Sequence, residues 1–154
     1  MRDLREIIEE YLTKTVHMSL ATASGGGKPW VCEVHFVHDE ELNLYFRSLQ
    51  SRRHSQEIKL NPNVAGNICA LYPLEEGCGG VISFEGKAEL ISDSKIREEV
   101  FPLFKKQLKS DVKILDDANS QEGYQFYKIN ISEWFAYGKF DDSGKSGKHS
   151  LKMN

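Results

Sequence analysis

The chain has 154 residues, room for one domain with one core, and its 40% hydrophobic and 28% charged content is that of a globular protein rather than a disordered one. A formal net charge of −3 supplies no overall basic surface, which argues against nucleic acid as a partner. No run of about 18 apolar residues occurs, so no membrane-spanning helix is expected, and the odd, widely spaced Cys32, Cys69 and Cys78 do not form a disulfide framework.

Residues Met1 to Glu6 are charged, with no apolar signal region behind them, and the chain reads as cytoplasmic. Leu4, Ile7, Ile8, Tyr11 and Leu12 mark one apolar stripe of a helix over about 3–14, opened by Asp3 and Glu6 in an acidic capping pattern. Residues 15–23 read as a strand, broken by Ser24-Gly25-Gly26-Gly27-Lys28-Pro29. Residues 30–37 alternate with period two, and Asp39-Glu40-Glu41 turns the chain into a strand over 42–48, so the three strands are expected to form an antiparallel meander. A short helix over 51–60 is stopped by Asn61-Pro62-Asn63.

Strands follow over 64–72 and 81–91, separated by a loop with Gly77, Gly79 and Gly80, and the second is expected to bend at Gly86. Ser92-Asp93-Ser94 starts a helix that buries Ile96, Val100, Phe101, Leu103, Phe104 and Leu108, with a kink or break at Pro102. One helical turn is expected near 112–115, and a last strand over 124–134. The pattern predicts a mainly β (α+β) domain, a six-stranded antiparallel split β-barrel with flanking helices over residues 1–140, and a flexible tail over 141–154.

The segment Arg47-Ser48-Leu49-Gln50-Ser51-Arg52-Arg53-His54 stands out chemically. Arg47 ends a strand, Ser51 is placed to cap the next helix, and Arg52 and Arg53 fall in its first turn, where cations oppose the helix dipole. An anion would relieve that conflict, using free N–H groups and two guanidinium forks; a solvated basic turn is the alternative. Trp134, Phe135, Tyr137 and Phe140 could stack on a planar group or serve as core and interface packing. The five histidines lack metal-ligand spacing, and no metal site is expected. No Walker or dinucleotide phosphate loop is present.

The order of Leu20-Ala21-Thr22-Ala23, the glycine hairpin with Lys28-Pro29, Leu44-Tyr45-Phe46, Ser51-Arg52-Arg53-His54, Leu60-Asn61-Pro62-Asn63-Val64-Ala65 and Phe84-Glu85-Gly86-Lys87-Ala88-Glu89 resembles the pyridoxamine 5′-phosphate oxidase-like superfamily, the FMN-binding split barrels, over roughly residues 15–140. The resemblance implies a homodimer with FMN at the subunit interface and a small-molecule substrate or electron donor. It implies that Ser51, Arg52 and Arg53 hold the phosphate, that Phe46, Arg47 and Ser48 meet the ribityl chain and phosphate, and that the backbone of Glu33, Val34, His35 and Phe36 lies along the ring. Trp134 or Phe135 would reach the cofactor from the other subunit.

The resemblance implies a flavin-dependent oxidoreductase, or alternatively a module binding flavin, deazaflavin F420 or haem without turnover. Lys139-Phe140-Asp141-Asp142 stands where oxidases of pyridoxamine phosphate carry an Arg-x-His-Asp-like stretch, and Val37 replaces a basic residue, so vitamin B6 synthesis is not the expected role.

Overall fold

A computed structural model describes residues 3–70, 78–138 and 147–154, with the backbone alone at Cys78 and Gly79. The chain runs α1 (Leu4–Lys14), β1 (His17–Ala23), β2 (Pro29–His35), β3 (Val37–His38), β4 (Leu44–Ser48), α2 (Arg53–Leu60), β5 (Asn63–Cys69), β6 (Cys78–Leu90), α3 (Ser94–Leu108), α4 (Lys113–Asn119), β7 (Gln125–Gly138) and β8 (Gly147–Lys152). No helix of the described residues is long and apolar enough to cross a membrane.

All strand pairs are antiparallel, in the order β2-β1-β5-β6-β7-β4-β3 with β8 on the flank of β7. The two ends of that path, β2 and β3, are consecutive in the chain. At Phe36, whose N–H donates to Val16 O (2.8 Å), the chain leaves the β1 ladder, and Val37 and His38 join β4. The sheet therefore curls until β2 lies beside β4 without a ladder between them, which is the split of a split barrel.

The expected meander is corrected here. The strand over 30–37 breaks at Phe36, and β4 pairs along β7 rather than along β2. Period-two alternation sees no difference between one strand and two collinear ones that change partners. Among the described residues the sheet has eight strands rather than six, the additions being the two-residue β3 and the terminal β8. Gly147–Lys152 pairs with β7 over its full length, where the sequence suggested a flexible tail. The loop expected over 73–80 and the stretch 139–146 fall largely outside the described residues.

The barrel interior is filled by Leu20, Phe46, Ile68, Phe84, Ile129 and Trp134, closed over by Ile7, Ile8, Tyr11 and Leu12 of α1. The opposite face of β4 and β7 carries Tyr45 and Phe126, covered by Val100 and Phe104 of α3 and by Ile114 and Ala118 of α4. β4 is thus buried on both faces, which explains its run of apolar residues. α3 continues through Pro102 as one helix, and Ile96, expected in its buried stripe, is 44% exposed. At Gly86 the sequence expectation holds: the β6–β7 register shifts there, and an added Cβ would collide with the Asn130 carbonyl.

Candidate functional site

A cleft of about 780 Å³ opens where β2, the end of β4, the start of α2 and the end of α3 meet. Its walls include Cys32, Glu33, Val34 and His35 from β2, Arg47 and Ser48 from β4, and Arg52, Arg53 and His54 from the α2 start. This volume falls in the usual range for small-molecule sites.

The α2 N-terminus is electrostatically unfinished. Its N-cap is Arg52, whose side chain makes no capping bond, and no acidic residue stands in the first turn. Ser51, expected as the cap, is exposed and makes no such bond, because a turn closed by Arg52 N–H on Leu49 O (3.1 Å) moves the helix start one residue on. The first-turn N–H groups and the positive end of the dipole are left without a side-chain partner.

The three arginines differ in what holds them. Arg53 Nε approaches Glu57 Oε2 (3.4 Å), and its guanidinium lies over the Trp30 ring, 4.3 Å from the centroid. Glu57, only 6% exposed, also accepts from Thr22 Oγ1 (3.3 Å), so one buried carboxylate fastens α2 to β1 and orients Arg53. Arg47 donates through Nη2 to Asp117 Oδ2 (2.9 Å) and lies over Tyr124, but its Nε is buried with no partner. Burial pulls the Arg47 guanidinium below its usual range, and Asp117 opposes that shift. Arg52 is exposed at the cleft with no ion pair or side-chain hydrogen bond among the described residues.

Beneath these cations runs a buried hydrogen-bonded chain. Cys32 Sγ lies 3.3 Å from His54 Nδ1, His54 Nε2 lies 2.7 Å from Ser48 Oγ, and Ser55 Oγ donates to Ser48 Oγ (3.1 Å). Burial pushes the Tyr127 phenol up, and the nearby Ser55 opposes that shift. Burial first, then Glu33 and Glu57, push the Cys32 thiol up, while burial and the charge of Arg52 push His54 down against an opposing Glu57. An arrangement in which the protonated thiol donates to Nδ1 and His54 carries its proton on Nε2, facing Ser48, satisfies both contacts. His54 ties the first turn of α2 to both β2 and β4.

Of the residues expected from sequence, Glu33, Val34, His35, Arg47, Ser48, Arg52 and Arg53 line this cleft. Phe36, Phe46 and Trp134 do not: their side chains are 0–1% exposed, enclosed in the barrel core. Trp134 packs edge-on against Phe84, which corrects the expectation that it reaches a cofactor across an interface. Phe135, the other aromatic considered there, lies half-buried on the opposite face of β7 with Lys148 over its ring. Sequence reasoning missed Cys32 with His54, Trp30 with Arg53, and Asp117 with Arg47, because each pair is brought together by sheet and helix packing from distant parts of the chain.

A curled antiparallel barrel split between β2 and β4, with a cationic cleft at a strand-to-helix junction, defines the architecture as a split barrel. The chain belongs to the pyridoxamine 5′-phosphate oxidase family, which it matches over residues 4–138. Among solved structures it is similar to HutZ of Vibrio cholerae, described as a heme storage protein, with 20% identity, a TM-score of 0.68, and coverage of 88% of this chain and 95% of that one. It is similar to general stress protein 26 of Bacillus anthracis, with 19% identity, a TM-score of 0.64, and coverage of 97% and 98%. A heme binding protein of Mycobacterium smegmatis shares 15% identity at a TM-score of 0.70, covering 99% of this chain and 59% of its own. At these identities the likeness shows the fold alone. No curated protein matches the chain in sequence.

Proposed function

We propose that the cleft binds FMN by its phosphate and that the protein is a flavin-dependent oxidoreductase working as a homodimer. The observation that carries the reading is the uncapped α2 N-terminus, with an unpaired Arg52 at its mouth and the partnerless Nε of Arg47 across the cleft. Each of these groups lacks an acceptor, and a phosphate supplies several. Arg53 contributes its remaining N–H groups while Glu57 fixes its direction. When bound, the flavin supplies hydride or electron transfer; this chain supplies binding, orientation and field.

The dimer is supported by β2. It is an edge strand with Trp30 41% and Val31 60% exposed, and its inward side is covered only in part. A second subunit laid on β2 would cover this apolar strand and complete the cleft wall.

Haem is the second reading, favoured by the likeness to two proteins named for heme storage or heme binding. Its propionates would take the same cations. The absorption spectrum of the purified protein separates a flavin band from a Soret band. Titration with FMN and with riboflavin, which lacks the phosphate, then tests the phosphate contacts. FMN is expected to bind at least tenfold tighter, because one charged hydrogen bond contributes about 1.5–3 kcal/mol and a factor of ten corresponds to about 1.4 kcal/mol. Arg52→Ala should remove most of that difference. Equal affinity for FMN and riboflavin would end the phosphate assignment.

A further inference from the structure

His17 at the start of β1 and His35 at the end of β2 are directly opposed across the ladder. Their Nε2 atoms lie 2.8 Å apart, with ring centroids 4.4 Å apart and planes at 64°. Both residues are exposed, and no other side chain among the described residues shares this hydrogen bond. Two neutral imidazoles meet this way only when one gives an Nε2–H and the other an Nε2 lone pair. The shared proton occupies the point on which two lone pairs can converge.

We propose that His17 and His35 form a two-imidazole site for a divalent transition-metal ion such as Cu²⁺ or Ni²⁺, on the wall of the cleft. With metal–nitrogen bonds of about 2.0 Å, two ligands at right angles stand about 2.8 Å apart, whereas tetrahedral ligands stand about 3.3 Å apart. The observed spacing matches the right-angled arrangement of square-planar or octahedral ions, and imidazole nitrogen suits these borderline metals better than Mg²⁺ or Ca²⁺. The strand ladder fixes both Cβ atoms, so little backbone freedom is lost when an ion replaces the proton.

The next rung on the same face is Ser19 and Glu33, and Glu33 Oε2 accepts from Ser19 Oγ at 3.0 Å. A carboxylate therefore stands beside the imidazole pair on the same strand face. His35 and Glu33 both line the cleft, so an ion held here borders the space assigned to the cofactor without depending on that assignment.

The test uses the untagged full-length chain, a Cu²⁺ titration followed by calorimetry, and electron paramagnetic resonance of the loaded protein. The wild type is expected to bind one Cu²⁺ per chain at this site, with hyperfine structure from two imidazole nitrogens. His17→Gln and His35→Gln should each weaken binding on the order of a hundredfold, because each removes a donor presented at high effective concentration. Both positions are exposed, and circular dichroism verifies that the variants fold. Unchanged affinity in either variant, or a spectrum with a single imidazole, would overturn the site. FMN affinity measured in His17→Gln reads the cofactor proposal separately, since His17 lies outside the cleft lining.

Discussion

Cys32 Sγ stands 3.3 Å from Nδ1 of His54, 22 positions further along the sequence. The pair has the composition of an activated nucleophile but not its electrostatics. Burial and two nearby carboxylates hold the thiol protonated, and burial with Arg52 disfavours the imidazolium that would have to form. Cys32 is thus expected to react slowly with iodoacetamide at neutral pH, while exposed Cys69 reacts faster. FMN should slow Cys32 further and leave Cys69 unaffected. Peptide mapping by mass spectrometry resolves each site, and rapid labelling of Cys32 at pH 7 would contradict this account.

His54 also sets a pH dependence of stability. Its folded-state pKa is lowered from 6.5, so the unfolded chain takes up a proton more readily than the folded one. The stabilising contribution is present above about pH 6.5 and is lost as pH falls from there through the folded value. His38, also lowered by burial, acts in the same direction. Urea unfolding at pH 7.5 and 5.5 should show wild type losing stability on acidification, and His54→Gln losing less. The variant should itself cost about 1–3 kcal/mol, because Cys32 and Ser48 lose a buried partner. An equal acid loss in both proteins would exclude His54 as a contributor.

How far the sequence revealed this arrangement depends on the range of the interaction. The stripe Ile7, Ile8, Tyr11, Leu12 and the end of α2 at Leu60 are local properties, and they appear in the fold where expected. Gly86 was legible as an irregularity because a strand glycine marks a bend, and the β6–β7 register shifts there, with the Asn130 carbonyl close by. The break at Phe36 was not legible, since the residue keeps its alternation while its neighbours change partners. For Trp134 the sequence left stacking and core packing both open, because an aromatic near a strand end looks alike whether it faces a ligand or the core, and only barrel curvature decides. The basic run was readable as a charge pattern, but that Glu57 and Asp117 engage Arg53 and Arg47 while Arg52 stays free is a product of tertiary packing.

The two-residue β3 is too short to hold itself by ladder bonds, and Gln107 of α3 supplies the rest. His38 N–H donates to Gln107 Oε1 (3.0 Å), and Gln107 Nε2 donates to His38 O (2.7 Å). The amide thus stands in for a neighbouring strand where the barrel path ends. Gln107→Ala should cost about 1–3 kcal/mol by leaving both backbone groups unpaired. The His38 amide should exchange with solvent faster, while amides in the middle of β6 stay protected. Hydrogen exchange read by nuclear magnetic resonance checks this, and an unchanged His38 amide would show that water replaces the clamp at no cost.

Asp117 competes with any anion for Arg47. Its Oδ2 accepts from Arg47 Nη2 (2.9 Å) and from Tyr124 N–H (3.1 Å), so it both neutralises the guanidinium and holds the start of β7. Asp117→Asn keeps an oxygen for one of these donors and removes the charge. Arg47 then faces the cleft with its charge uncompensated, and FMN affinity should rise by up to about tenfold, equivalent to about 1.4 kcal/mol. Riboflavin affinity should not change, since it carries no phosphate for Arg47 to meet. A parallel gain for both ligands would indicate a reshaped cleft, and no gain for FMN would remove Arg47 from the phosphate contacts. Because the carboxylate is partly exposed, added salt should shrink the difference between wild type and variant, which separates this charge effect from a packing effect.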